Sequence, residues 1–306
     1  MSQSKRVSRR GFLGASASAL AVPYFVPGSA LGLGGTVAPS ERVVLGVIGV
    51  GGMGRGNMGA FMRNKDAQVV AVCDVDKNNL GHAKNQVNKR YKNNDCQGYG
   101  DYRKLLADEK IDAVCIATPD HWHALQGIEV MKSGAHVYLQ KPISVDVLEG
   151  EALIAASKKY GKVVQVGTQR KSTPHLIEAK KNIVDAGLLG KVSHVEICCY
   201  YHMRDTQNRP QAPIPDFFDY DMWTGPAPMR EFDGLPHRRW RAFMEYGNGI
   251  VGDMCVHMLD TVRWMLDLGW PKRISSTGGI YIQKDAKANI TDTQNAVFEF
   301  EEMECI

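Results

Sequence analysis

The sequence predicts an α/β protein: a doubly wound parallel sheet in the N-terminal half, then an α+β domain with a mostly antiparallel sheet. Three observations carry this. Short, nearly continuous β-branched runs alternate with helical stretches from Arg42 onward, a glycine-rich turn follows the first run, and after about Gln169 the runs alternate in polarity instead.

The expected strands of the first sheet are VVLGVIG (43–49), QVVAVCD (68–74), DAVCIAT (112–118), HVYLQ (136–140) and KVVQVGT (162–168). Apolar throughout, they suit a sheet buried on both faces. Helical segments at 121–134 and 145–161 separate them, each stopped by a glycine, Gly134 and Gly161. This places a nucleotide-binding domain at 42–168. In the second domain, 169–306, we expect a helix at 175–186, a strand at 191–202, an irregular aromatic stretch at 205–240, a helix around 250–267 and strands at 273–283 and 294–301. The chain stops at EFEEMECI, directly after a strand, which reads as an incomplete sheet and a fragment of a longer protein.

Composition narrows the class. Of 306 residues 44% are hydrophobic and 23% charged, ordinary globular usage that argues against a disordered or fibrous chain. Residues 1–30 hold Lys5, Arg6, Arg9 and Arg10 and no acid, and SRRGFLG before a small apolar run resembles a twin-arginine signal. The expectation is export through the twin-arginine machinery to the periplasm, with 31–41 as a linker. Pro23 and Pro27 break the apolar run, leaving it short of the ~20 apolar residues of a membrane span. Thirty-seven basic residues less those four leaves 33, against 33 acidic, so no nucleic-acid-binding surface is expected. Seven cysteines without a CxxC, two of them in strand-like runs, suggest core filling and no disulfide that matters.

Gly49-Val50-Gly51-Gly52-Met53-Gly54 is a G-x-G-x-x-G turn between a predicted strand and a helix. Gly49, Gly51 and Gly54 allow the tight turn and the close approach of backbone to a pyrophosphate, with Met53 beside them. Asp74, 20 residues on, ends the next strand, where a carboxylate bonds the ribose 2′-hydroxyl. NAD is therefore favoured, and Lys77 nearby keeps NADP open. Thr118-Pro119-Asp120-His121-Trp122-His123 follows the strand expected at 112–118, where doubly wound sheets bind ligands, so Thr118, Pro119 and His123 are placed against the cofactor. Asp120 could equally be a helix cap. Gln140 and Lys141 stand at the end of the strand expected at 136–140 and face the same crevice.

Asp253 and His257, four apart on one predicted helix, share a face, with Asp260 three further on. Two ligands without a third make no metal site. Oxidation of an alcohol needs a base near neutrality as hydride leaves, and histidine suits that role.

The glycine turn, Asp74, Thr118-Pro119 with His123, the Lys141-Pro142 pair, and Asp253 with His257 together resemble the Gfo/Idh/MocA oxidoreductases. The WTGPAP stretch and the export signal are similar to a secreted branch. This chain departs from the family in carrying Gln140 where a glutamate usually precedes the lysine-proline pair. The resemblance implies that Lys141 bonds the reacting hydroxyl, that His257 is the base or acid, and that Asp253 orients substrate or histidine. It also offers Arg170, Tyr201, His202, Arg239 and Trp240 as sugar contacts, and leaves open association of copies through the C-terminal sheet. The implied activity is hydride transfer between a secondary alcohol of a sugar, cyclitol or glycoside and tightly held NAD. One rival is a glycosidase or lyase working by transient oxidation and elimination, and another is a non-catalytic nicotinamide-binding sensor.

Overall fold

A computed structural model describes residues 28–34, 37–199, 204, 207–234 and 239–306. The twin-arginine motif lies outside these residues. Residues 1–42 and Val43–Ile306 form separate compact units. In the first, a short 3-10 turn, Gly28–Leu31, closes the expected signal and a second, Pro39–Glu41, lies in the expected linker, and the Arg42 guanidinium donates to the Val37 carbonyl at 3.0 Å.

The second unit opens with six parallel strands: β1 (Val43–Ile48), β2 (Ala67–Cys73), β3 (Gln97–Tyr99), β4 (Ala113–Ile116), β5 (His136–Leu139) and β6 (Val164–Val166). Their order in the sheet is β3-β2-β1-β4-β5-β6. Because β1 is central, the chain leaves it toward β2 on one side and later returns to β4 on the other. That reversal opens a crevice at the C-terminal ends of β1 and β4. Val47, Val114 and Ile116 are fully buried, so residues of both strands serve the cores above and below the sheet. Each such side chain contributes about 1.5–3 kcal/mol.

Helices α1 (Gly52–Phe61), α2 (Lys77–Tyr91), α3 (Tyr102–Asp108), α4 (His123–Ser133) and α5 (Val147–Tyr160) cross between the strands. Asp76, Asp101 and Asp146 accept from the first free N–H groups of α2, α3 and α5. Gly134 and Gly161 end α4 and α5 in the left-handed conformation, as expected of their stop positions.

Beyond β6 come α6 (Pro174–Ala179), prolonged by a π-turn over Lys180–Val184, and α7 (Tyr220–Thr224). A second π-turn, Val251–Cys255, leads into α8 (Val256–Met265). The second sheet joins β7 (His194–Val195), β8 (Arg273–Gly279), β9 (Thr293–Glu299) and β10 (Glu304–Cys305) in the order β7-β10-β9-β8. β9 runs antiparallel to both neighbours, while β7 pairs parallel with β10. The strand expected at 191–202 is reduced to β7 among the described residues, because its partner β10 offers only two residues to pair with. Ile197 adds one further bond, its N–H donating to the Ile306 carbonyl at 2.6 Å.

The irregular stretch supplies its own core. Phe218, Tyr220, Trp223, Phe232, Trp240, Phe243 and Tyr246 pack together. Residues 217–219 run back along the loop after β2: the Lys77 N–H donates to the Phe217 carbonyl and the Asp219 N–H to that of Val75. The aromatic block thus covers the mouth of the nucleotide crevice. No helix among the described residues is long and apolar enough to cross a membrane.

Candidate active site

The glycine turn shows what each of its glycines is for. A Cβ at Gly49 would stand 2.7 Å from the Ala117 carbonyl carbon, and one at Gly54 would strike the Gly49 carbonyl oxygen, so both are required by the protein's own backbone. Gly49 also has φ of +79°. Gly51 differs: nothing lies within 4 Å of the Cβ it lacks. Its bareness leaves an open cradle, the feature a pyrophosphate resting on the N-terminus of α1 needs. The crevice is lined by Gly49, Gly51, Met53, Asp74, Thr118 and Pro119, as the sequence motifs suggest, and on the far side by Trp122, Trp223, Trp240 and Arg241.

Asp74 ends β2 and accepts from the Val50 N–H at 2.8 Å and from the Asp76 N–H at 2.9 Å. It therefore braces the glycine turn as well as facing the crevice. Loss of water pushes its carboxyl up to about 6, despite those two bonds. Lys77 is turned to the Asp216 carbonyl at 3.1 Å, leaving Asp74 as the charge at the ribose position. Glycine cradle and carboxylate together fit a dinucleotide with a free 2′-hydroxyl.

His123, expected against the cofactor, stands behind the crevice instead. It is 1% exposed, with Nδ1 2.5 Å from the Pro142 carbonyl and Nε2 2.9 Å from that of Thr118. A neutral ring has one N–H, so it donates to one carbonyl and merely abuts the other; burial, first among the causes, holds the group neutral by lowering it to about 4. His123 clamps the loops after β4 and β5. Gln140 is similarly tucked in, its side-chain oxygen accepting from the Lys141 N–H at 3.1 Å beneath Gly167, where a Cβ would stand 3.0 Å from its amide. The Lys141–Pro142 peptide bond is cis.

Lys141 is buried, and its Nζ donates to the Asp253 carboxylate (Oδ1) and to the Asp253 carbonyl, both at 2.7 Å. Arg241 Nε donates to the same carboxylate oxygen at 2.9 Å, with its guanidinium 4.1 Å from the centre of the Trp240 ring. Burial raises the Asp253 carboxyl, but the two cations outweigh it and hold the group below its usual range. The anticipated pairing of Asp253 with His257 is absent among the described residues. Their i,i+4 spacing assumes an α-helix, whereas Asp253 sits in a π-turn, whose wider circuit turns it toward Lys141. His257 lies in the first turn of α8, buried, with Nδ1 lacking a hydrogen-bond partner among the described residues. Burial, then the charges of Lys141 and Arg170, lower its pKa, so the ring is neutral at neutral pH.

Asp120 is the residue the sequence left ambiguous. It is 5% exposed, and no described residue hydrogen-bonds its carboxylate. Burial pushes it up to about 8, against the pull of Arg241 and Lys141. Beside it, His121 Nε2 and Trp122 Nε1 both donate to the Trp223 carbonyl, at 3.1 and 2.9 Å, fixing the PDHW turn to the aromatic block. Gly225 permits this contact, since a Cβ there would overlap the Trp122 ring. Of the proposed sugar contacts, Trp240 lines the crevice and Arg170 reaches His257 through its charge. Arg239 is directed to the Arg204 carbonyl at 3.3 Å. Tyr201 and His202 lie outside the described residues. Arg241 went unrecognised because RRWR offers three arginines and only the fold selects one. No cluster of His, Cys, Asp and Glu among the described residues could hold a metal ion.

A glycine cradle, a ribose-facing carboxylate and a lysine at the end of β5 define a nicotinamide-dinucleotide-binding oxidoreductase fold. The chain belongs to the Gfo/Idh/MocA oxidoreductase family: residues 43–168 match its NAD-binding Rossmann fold and residues 175–301 an oxidoreductase-family C-terminal alpha/beta domain. It is 28% identical over 178 residues to the uncharacterized oxidoreductase YrbE of Bacillus subtilis, covering 58% of this chain and 48% of that protein. It is 30% identical over 204 residues to an alpha-N-acetylgalactosaminidase of Shewanella oneidensis, covering 63% and 42%. The chain thus spans about half or less of these relatives. Among solved structures, the WlbA dehydrogenase of Bordetella pertussis, in complex with NADH and UDP-GlcNAcA, superposes with a TM-score of 0.65 at 19% identity, covering 86% of this chain and 69% of that one. Myo-inositol 2-dehydrogenase of Lactobacillus plantarum gives 0.65 at 22%, covering 86% and 68%. At these identities the likeness is one of fold.

Proposed function

We propose that the protein is an NAD-dependent oxidoreductase acting on a secondary alcohol of a sugar, cyclitol or glycoside, with its substrate bound between the nucleotide crevice and α8. The observation that carries this is the junction of Lys141, Asp253 and His257, where a cation, an acceptor and a neutral imidazole converge, joined by Arg241 to the crevice that the glycine turn lines. When bound, the nicotinamide accepts or returns the hydride. Lys141 donates to the substrate oxygen and stabilises its developing negative charge. His257, neutral, takes the hydroxyl proton. Asp253 holds Lys141 in place, and Arg241, stacked on Trp240, flanks the substrate entrance. Residues 42–168 bind the nucleotide, 169–306 shape the substrate side, and 1–30 serve export by the twin-arginine route.

A redox-neutral version has support in the relatives named alpha-N-acetylgalactosaminidase and glycosyl hydrolase family 109 protein. There, oxidation at one carbon acidifies its neighbour, a glycosidic substituent is eliminated, and the oxidation is reversed. Incubating the purified full-length protein with a glycoside panel separates the two. Net keto-sugar with NADH supports the dehydrogenase, release of an aglycone without net NADH supports the glycosidase, and nucleotide binding without either product defeats both.

A further inference from the structure

We infer that Cys199 and Cys255 are a disulfide-forming pair that fastens the turn carrying Asp253 to the edge of the second sheet. Their sulfurs stand 3.5 Å apart although 56 residues separate them in sequence. That is van der Waals contact between two thiols. A disulfide requires about 2.05 Å, so closing it takes roughly 1.5 Å of sulfur movement, within reach of side-chain rotation. The two residues come from different elements. Cys255 closes the π-turn Val251–Cys255, two residues after Asp253 and two before His257. Cys199 continues from β7, just past the Ile197 bond to the Ile306 carbonyl.

Their surroundings suit the reaction. Both are half-buried, shielded from bulk water yet within reach of a small reagent, whereas Cys73, Cys96, Cys115 and Cys305 are buried in packed cores. Cys198 is exposed, but the charge of Glu196 beside it disfavours its thiolate. Burial, and then the neighbouring Cys199, push the Cys255 thiol up to about 12, so Cys255 attacks only as it loses its proton. The oxidant is a low-molecular-weight disulfide. Cys199 thiolate attacks one of its sulfurs, giving a mixed disulfide and releasing one thiol. Cys255 then loses its proton, attacks the Cys199 sulfur and displaces the second thiol. Two cysteines are oxidised and one disulfide is reduced to two thiols, which carry away the protons. The proposal departs from the expectation that no disulfide matters: both cysteines are free thiols in the structure, and the bond forms only where an oxidant is supplied.

The test uses the full-length protein, first fully reduced and then equilibrated with oxidised glutathione. Free thiols are alkylated and the non-reduced digest is read by mass spectrometry. The expected result is a peptide linking Cys199 to Cys255, with the thermal midpoint raised on the order of 5 °C by closure of the intervening loop. A reductant should reverse both, and Cys199→Ser should show neither while folding as the reduced protein does. The proposal is overturned if both cysteines are recovered alkylated or as glutathione adducts, if Cys255 links to Cys198 instead, or if the link forms and leaves the thermal midpoint unchanged or lower.

Discussion

Replacing Lys141 with methionine probes the site at the point where both halves of the molecule meet. The substitution keeps the length of the side chain and removes its charge. In the structure Lys141 is not a free cation: its side chain is 8% exposed and bonded to Asp253, itself 13% exposed. Truncating one partner of a buried pair costs 3–5 kcal/mol when the other is left bare. Here Arg241 stays on the same carboxylate oxygen, so the cost should fall nearer 2 kcal/mol, or about 6 °C in thermal midpoint for a domain of this size. The effect on chemistry should be larger. Loss of the donor to the developing alkoxide is worth roughly 3–4 kcal/mol, a fall in turnover of about 10² to 10³. NAD retention should hold, because Lys141 does not line the nucleotide crevice. Calorimetry, nucleotide titration and single-turnover rates separate the three effects, and a variant that is destabilised but turns over normally would reduce Lys141 to a structural tie.

Three further outcomes are expected. Asp74→Ser should weaken NAD binding by about 1.5–3 kcal/mol, relax rejection of NADP and loosen the Val50 turn it braces; unchanged affinities for both nucleotides, read by titration, would remove Asp74 from the ribose site. Turnover should rise with pH through a value below the ordinary histidine 6.5 and level off above it, since His257 must be neutral to take a proton, and in His257→Asn that limb should vanish. Asp120 has its folded value raised to about 8 from 3.8, so its favourable contribution is complete below 3.8 and is lost as pH rises through 8. Asp120→Asn should therefore be stabilised relative to wild type by an amount that grows by up to about 4 kcal/mol between about pH 5 and about pH 8 in urea titrations, and a constant difference would show that the buried carboxyl is not protonated.

The first domain was legible because its signals are local. Continuous apolar runs gave all the strands but the short β3, Gly134 and Gly161 marked helix ends, and the glycine turn placed the crevice at the right edge of the sheet. The second domain resisted for physical reasons. The alternation in KVSHVEICCYYH describes a surface that could pair, but the length of β7 is set by β10, far away in sequence. An apolar period cannot distinguish one π circuit from a helical one, so Asp253 and His257 looked like partners when Asp253 belongs to Lys141 and Arg241. His123 carried a true signal with the wrong consequence. The motif marks a residue near the cofactor, and the structure uses it to tie together the two loops that present Thr118 and Lys141.

The charges around Lys141 bear on the protonation of both His257 and Asp120. Lys141, Arg170 and Arg241 surround the junction, and the first two disfavour a second positive charge on His257. The carboxylate that would offset them, Asp253, has its bonded oxygen committed to Lys141 and Arg241. Asp120 could have supplied compensation, yet burial opposes its ionisation and no described residue hydrogen-bonds it, so it withholds its charge from the site. Burying a carboxyl costs free energy, and giving up its charge lowers that cost. If Asp120 serves this balance, Asp120→Asn should gain stability and leave the histidine limb of the pH profile where it is. Were Asp120 ionised at neutral pH, the same substitution would remove a negative charge that offsets Arg241 and Lys141, and the limb would move to lower pH.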